Sequence, residues 1–436
     1  MLKPISFNAE ELLAQVLCFV ERSTEPYRGI MDQLSKRYRP IRDAYPMLMA
    51  LGLSVLRNYI LLDFITESAC GVKVSELDCF SKWLLRIVVY EIRYRDISRD
   101  RVEKYLRRLG LRSECYSILR YYDVEPLLHR MNIVDELSIR YSIPRWIVDY
   151  AYRKLIRDEY ELRWFIRDLS GPQPTWIRVN LLKINNRNML KHMLREYYIF
   201  AYEDPIVPDV LLVEEGKDRL TRNPLYEQGY YMLQNRASTL VAHNLGLRGR
   251  GIVFDLCSAP GGKALHVASL TRCKTHIVAL DISARRLRIE QEMIKWQGAE
   301  NCISMVQGDV LHQPLLGKAN YIILDPDCTS LGRLGHTPEI RLWVKPQDVK
   351  RMSRLQKRLL QKAVENAKPG SRIVYSTCTI TLEENERVVE SVLDKVEILE
   401  PELKLGDPGI GLERTLRLYP HKHKSLGFYV SILERR

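Results

Sequence analysis

Hydrophobic and polar positions divide the chain into contrasting stretches. Up to about residue 141, apolar side chains recur at helical spacing. Leu12, Leu13, Val16, Leu17 and Val20 form one stripe, and Met47, Leu48, Leu51, Val55 and Leu56 a second. Residues 83–94 are apolar on most faces, which predicts a helix buried within a bundle. Strand-type alternation is missing here, so residues 1–141 are expected to form an all-helical domain. A junction follows, where Ser142 is a candidate helix cap and Pro144 suits a first helical turn. Residues 142–240, which include Pro172 and Pro174, mix helical and extended segments and predict a small α+β connecting region. From about Gly249 short apolar runs at 252–256, 276–281, 302–306, 321–325 and 372–377 alternate with amphipathic helices, among them an ordinary crossover at 350–367. Such alternation predicts an α/β, doubly wound, Rossmann-like domain over 241–436, with ligands beyond the carboxyl ends of its strands.

Composition narrows the function classes. A chain of 436 residues, 46% hydrophobic and 28% charged, suffices for two or three domains with substantial cores. Its 67 Lys and Arg against 54 Asp and Glu leave a net charge of +13, which favours polyanions such as nucleic acid or an anionic surface. The first fifteen residues lack a signal-peptide pattern. No apolar run approaches the ~20 residues of a membrane span; the longest, at 59–65, is interrupted by Asp63. Nine cysteines without a CxxC pair argue against both a disulfide framework and a zinc cluster. The expectation is a cytoplasmic monomer without metal, most of whose thiols are ordinary buried side chains.

The first strand of the α/β region runs into Asp255, Leu256, Cys257, Ser258, Ala259, Pro260, Gly261, Gly262 and Lys263. Paired glycines let backbone approach a ligand before a helix begins. The spacing is neither GxGxxG nor that of a Walker loop, which disfavours dinucleotides and nucleoside triphosphates. Asp281 ends the second strand, where an acid grips ribose hydroxyls. Asp309 follows the third, placed to accept from an adenine amino group. A glycine loop, a ribose acid and an adenine acid in this order describe an S-adenosylmethionine pocket.

The fourth strand ends Asp325, Pro326, Asp327, Cys328, Thr329, and the fifth Ser376, Thr377, Cys378, Thr379. Both thiols should emerge at one rim, facing the donor methyl. Carbon 5 of a pyrimidine is a poor nucleophile and becomes enamine-like only when a thiolate adds to carbon 6. Asp325 is placed to hydrogen-bond the N3 edge of the ring during that addition. Singly, either cysteine reads as a small buried hydrophobe; paired at matching strand ends beside a methyl donor, they point to cytosine C5 chemistry.

With these residues in view, the sequence resembles the Sun/Nop family of RNA cytosine-5 methyltransferases over nearly its whole length. Cys257 to Lys263 match the family's donor loop, Asp281 with Arg286 its ribose motif and Asp309 its adenine motif. Residues 332–343, the run from Tyr375 to Cys378 continuing to Glu384, Asn385 and Glu386, and Arg417, Pro420 and Gly427 to Tyr429 match further motifs. The resemblance implies that Cys378 is the nucleophile on carbon 6 and that Cys328 assists release of the methylated RNA. It implies that Asp325 also lies at the cofactor, and that Arg178, Asn180 and Gln234 lie near the RNA cleft. The helical region resembles a NusB-type RNA-binding domain through Gly52 to Asn58, Leu62, Asp63 and Leu84 to Arg86. That pairing implies ribosomal RNA as substrate, with transfer RNA as the alternative, and a non-catalytic ribosome-assembly factor as the rival of another class.

One departure stands out. The family usually has Pro-Cys-Ser where this chain has Asp327, Cys328 and Thr329. A carboxylate beside Cys328 is expected to raise its pKa if both are buried, and to slow product release. Basic clusters at Lys36, Arg37, Arg39 and Arg42, at Lys104, Arg107, Arg108 and Arg112, and at 421–424 read as solvated surface.

Overall fold

The structure, a computed structural model, describes residues 8–247, 251–312 and 319–436. Gly249 and the first seven residues, on which part of the leader reading rests, lie outside the described residues. Two compact units emerge. One comprises the chain up to Pro172 together with Leu334–Val344, the other Gln173–Arg333 with Lys345–Arg436. Helices therefore continue past residue 141, through Arg145–Lys154 and Glu159–Ser170. The extended part of the connecting region clusters with the α/β sheet instead of standing as a unit of its own.

The first unit is helical throughout its described residues. Both predicted stripes lie on helices, Ala9–Ser23 and Tyr45–Cys70, and the Cys79–Tyr94 helix is buried over most of its length. Tyr45–Cys70 is, by length and composition, apolar enough to cross a membrane, which corrects the sequence expectation. That expectation counted Asp63 as an interruption, but here Asp63 accepts Arg86 Nε at 2.8 Å within the bundle. Leu48, Val55, Leu56, Leu62 and Ile65 of this helix are fully buried. Ser142 is not a helix cap. It sits at φ 50°, and its Oγ accepts the Leu61 amide at 3.1 Å. Leu334–Val344 joins this unit through Arg341, whose buried guanidinium donates to the carbonyls of Arg57, Ser142 and Ser170, and through Trp343, which donates to the Val20 carbonyl.

The second unit holds two sheets. Strands β1 (Thr175–Val179), β2 (Phe200–Glu203), β3 (Val210–Glu215) and β4 (Tyr231–Leu233) form a small antiparallel sheet ordered β2-β3-β1-β4. The large sheet contains β5 (Ile252–Asp255), β6 (His276–Asp281), β7 (Ile303–Gln307), β8 (Tyr321–Leu324), β9 (Arg372–Thr377), β10 (Val396–Ile398), β11 (Asp407–Gly409), β12 (Leu412–Leu418) and β13 (Phe428–Arg435). Its order is β11-β12-β13-β9-β8-β5-β6-β7, with β10 paired to β13. The five expected strands are β5 to β9, and every pairing among them is parallel. Antiparallel β13 closes against β9, so the sheet is mixed. The reversal lies between β5 and β6 on one side and β8 and β9 on the other, and the loops at this switch point carry the candidate chemistry.

Two disulfides, Cys18–Cys79 and Cys273–Cys302, correct the reading that the thiols are unpaired. Their partners lie 61 and 29 residues apart, so no local spacing announced them. Cys70, Cys115, Cys257, Cys328 and Cys378 are free.

Candidate active site

The loop after β5 is bent by Gly261, at φ 96°. A Cβ there would lie 2.8 Å from Glu290 Cγ, so the position needs glycine on both counts. Ser258 anchors the loop twice: its amide donates to the Leu280 carbonyl at 3.0 Å, and its hydroxyl to Glu290 Oε2 at 2.8 Å. Burial pushes the Glu290 carboxyl up to about 7. Cys257 and Ala259 to Lys263 complete the turn, and the Gly262–Thr271 helix starts from it. Asp281 accepts the amides of Ser283 (2.9 Å) and Ala259 (3.2 Å), tying the end of β6 to the same loop. Arg286 reaches Asp281 at 3.6 Å and the Ala259 carbonyl. Beside them Ile282 is 64% exposed. Asp309 is partly exposed, its carboxylate taken by the Leu311 amide and His312. The candidate donor-site residues thus ring the ends of β5, β6 and β7.

Sequence reading passed over Asp255. It is buried at the end of β5, and neither carboxylate oxygen has a hydrogen-bond partner. Burial, with the charges of Glu290 and Asp325, pushes this carboxyl well above its ordinary range, against the pull of the Lys263 ammonium. A carboxylate ending an otherwise apolar strand was the available signal.

Cys328 and Cys378 follow β8 and β9, which pair in parallel with Leu324 opposite Tyr375. Their sulfurs lie 3.4 Å apart. Ser330 Oγ is 3.5 Å from Cys378 Sγ and 3.8 Å from Cys328 Sγ. The Cys328 hydrogen bond brings the Cys378 thiol down to about 7; burial opposes this, while Arg333 and Ser330 assist. Cys328 moves well above its usual value, because of that same hydrogen bond, burial, and the charges of Cys378 and Glu384. Asp327 is not the cause. Its side chain is 70% exposed and reaches Arg286 at 3.4 Å, so the condition of joint burial fails.

Glu384, buried, holds the two loops together. It accepts the Thr329 amide at 2.8 Å, the Thr329 hydroxyl, and the hydroxyls of Thr379 (3.2 Å) and Thr381 (2.8 Å). Gln356 donates to it at 3.1 Å and to the Asp327 carbonyl at 3.0 Å. Thr329 and Thr379 meet at 2.8 Å. Gly332 completes the approach: its amide donates to the Cys378 carbonyl at 3.0 Å, and a Cβ there would meet the Gly427 carbonyl oxygen at 1.9 Å.

Asp325 accepts from Lys263 on one oxygen and from Ser376 Oγ, at 2.6 Å, on the other. Burial pulls the Lys263 ammonium down, but the Asp325 charge outweighs it. This refines the expected role. Paired with an ammonium, Asp325 is an acceptor suited to an exocyclic amino group, while Lys263 is the nearby donor of positive charge.

The proposed RNA contacts Arg178 and Asn180 are corrected outright. Both are fully buried, Asn180 donating to the carbonyls of Gly229 and Gln297. Arg178 donates to Gln234 Oε1 at 2.5 Å, and the half-buried Gln234 passes the link to the Gly262 carbonyl at 3.2 Å. Arg178 and Gln234 thus brace the donor loop at Gly262. Nearby, Asp209 accepts His243 Nε2 at 2.8 Å and His266 Nε2 at 2.7 Å, a set whose ligand atoms lie within 4.8 Å of one another. Burial pushes Asp209 up, yet the imidazoles hold it well below its ordinary range, while burial brings His266 to about 3. His266 Nδ1 has no partner, whereas a metal-ligating imidazole normally hands its second N–H to an acceptor.

Residues 242–434 match the family described as 16S rRNA methyltransferase RsmB/F. Over 214 residues the chain is 36% identical to the tRNA (cytosine(72)-C(5))-methyltransferase of Pyrococcus horikoshii, covering 48% of this chain and 54% of that protein. It therefore spans about half the length of that relative. Ribosomal RNA small subunit methyltransferase B of Vibrio cholerae is 24% identical over 408 residues, 90% of each chain. The crystal structure of PH0851 matches with a TM-score of 0.79 at 25% identity, over 99% of this chain and 100% of that one. Over residues 242–434 the chain is thus similar to the RsmB/F family of rRNA methyltransferases, and over 214 residues to a tRNA cytosine-C5 methyltransferase.

Proposed function

We propose that the protein methylates carbon 5 of a cytosine in ribosomal RNA through a covalent adduct to Cys378, with its helical unit a NusB-like RNA-binding module. Two sulfurs 3.4 Å apart with oppositely shifted acidities carry this reading. The donor site fits S-adenosylmethionine on two observations. The Gly261 cradle admits no side chain, and the orphaned Asp255 carboxylate suits an ammonium. When bound, the donor supplies an electrophilic methyl group. Cys257 to Lys263 would line it, with Asp281 toward the ribose and Asp309 and Ile282 toward the adenine.

The Cys378 thiolate adds to carbon 6, and the ring electrons pushed toward carbon 5 leave that atom ready to take the methyl. Asp325 accepts from the cytosine amino group, while the Lys263 ammonium stabilises charge developing on the ring. Adduct formation turns Cys378 into a neutral thioether. That removes both the acceptor and the charge that hold the Cys328 proton, so Cys328 becomes the more acidic sulfur. Cys328 first releases its proton to solvent; its thiolate then takes the carbon 5 proton, the electrons of that C–H bond re-form the carbon 5–carbon 6 double bond, and Cys378 leaves as thiolate. The target base must be unstacked or single-stranded for a thiol to reach carbon 6.

Ribosomal RNA is preferred to transfer RNA because the match to the ribosomal enzyme runs through the helical unit, whereas the match to the transfer RNA enzyme covers 48% of the chain. Bisulfite sequencing of total RNA from cells with and without the gene tests the assignment. One ribosomal cytosine should lose protection in the deletion. A lost site in transfer RNA would correct the substrate, and an unchanged profile would overturn the activity.

A further inference from the structure

The helix joining the two cysteine strands, Pro346–Asn366, has two very different faces. Its inner face packs Val349, Leu359, Leu360, Ala363 and Val364 into the sheet. The same face sends Gln356 to the Asp327 carbonyl and Glu384, and Ser353 to the Glu383 carbonyl, so it seats directly against the loops bearing the thiols. Its outer face carries Lys350, Arg351, Arg354, Lys357, Arg358 and Lys362, six cations in 21 residues, against only Asp348 and Glu365.

At 100° per residue, Lys350, Arg354, Lys357 and Arg358 fall on one arc. Lys350, Arg354, Arg358 and Lys362 climb it at four-residue steps of about 6 Å. Like charges at that spacing destabilise a helix. Among the described residues, Asp348 is ion-paired with Arg351 and Glu365 with Lys395, which leaves the ladder itself uncompensated. Lys350, Arg354 and Arg358 are exposed, and Lys357 and Lys362 half-buried.

We propose that this cationic ladder binds the phosphate backbone of the substrate RNA beside the catalytic loops. The proposal rests on the reading of the protein as an RNA methyltransferase and adds to it a surface. Phosphate suits the observations because it needs only regularly spaced positive charge and no base-specific pocket. Gln356 then couples the helix that grips the backbone to the two loops that act on the base.

The test replaces Lys350, Arg354, Lys357 and Arg358 with Gln together in the full chain. The probe is a fluorescein-labelled, mixed-sequence, single-stranded 30-nucleotide RNA, titrated by anisotropy from 50 to 300 mM KCl. The expected result is binding at least about 10-fold weaker at 150 mM salt, with a log–log salt slope shallower by about 3, as four lost contacts at ~0.7 each require. S-adenosylmethionine affinity by calorimetry and the circular dichroism melt should match the wild type. Gln361→Lys, which adds a cation within the arc, should steepen the slope and supplies the answer if the quadruple variant fails to fold.

Unchanged affinity and slope in the quadruple variant, while the wild type makes 5-methylcytosine in bulk RNA, would overturn the surface and leave the enzyme reading intact. Salt-dependent binding lost in the variant, with no 5-methylcytosine formed by the wild type, would sink the reaction and keep the surface. Wild-type protein that does not bind RNA removes both. Loss of binding to phosphatidylserine vesicles, with RNA affinity unchanged, would reassign the ladder to anionic lipid and overturn the proposal.

Discussion

The loops after β8 and β9 offer a direct comparison within one molecule. Each presents a cysteine followed by a threonine, each follows a strand of the same parallel pair, and both threonines bond Glu384. They differ in what meets the sulfur. Cys378 receives the Cys328 hydrogen bond and feels Arg333, whereas Cys328 gives up that bond and faces the charges of Cys378 and Glu384. One shared S–H therefore separates the two acidities, and a symmetric backbone becomes an asymmetric pair of reagents. Nucleophilicity here belongs to the pair and its surroundings, and is not intrinsic to either cysteine.

The sharpest way to break this comparison is to remove the low-pKa member. Cys378→Ala should lower methyl transfer from labelled S-adenosylmethionine to RNA by at least about 1,000-fold, or ~4 kcal/mol of barrier. Donor affinity by calorimetry should stay at the wild-type value, and normal turnover would reverse the assignment of the loops. Next comes the clamp. Glu384→Ala leaves the Thr329 amide and several hydroxyls without their acceptor in a buried setting. It should cost about 2–4 kcal/mol in urea unfolding and about 10- to 100-fold in turnover.

Cys328→Ala should have a smaller effect on the first methyl transfer, and about 10-fold on steady-state turnover, because release depends on a base. A protein–RNA adduct should then persist on denaturing gels. The same variant probes acidity. Only thiolate reacts with iodoacetamide, so wild-type Cys378 should alkylate with an inflection near pH 7, slowing as pH falls below it and levelling off above. Loss of the Cys328 donor should shift that inflection upward, and Cys328→Ser, which keeps a donor, should restore much of it. Asp327→Pro is expected to do least, at most about a twofold change in turnover, because Asp327 points into solvent and does not contribute to the Cys328 shift.

Much of the site was legible along the chain because its chemistry is local. The donor loop is a contiguous run whose glycine at 261 answers a backbone requirement, and strand ends locate ligands in any parallel sheet. Arg178 and Asn180 were misread for the opposite reason. A short polar motif looks the same whether it faces RNA or fills a buried hydrogen-bond network, and only packing put both side chains inside. Glu384 was visible as part of a signature, but its service to both cysteine loops depends on partners up to 55 residues away. The disulfides, and the membership of Leu334–Val344 in the helical unit, were equally non-local.

By itself the sequence determined the helical start, the parallel α/β sheet, the methyl-donor loop and the presence of a cysteine at the end of each of two strands. Periodicity and turn chemistry express themselves over a few residues, so the chain declares them directly. Which sulfur ionises, which polar side chains are buried, and which face of the Pro346–Asn366 helix meets solvent were decided by the tertiary structure. Those properties depend on desolvation and on neighbours brought together from distant parts of the chain, and such proximity exists only once the chain is folded.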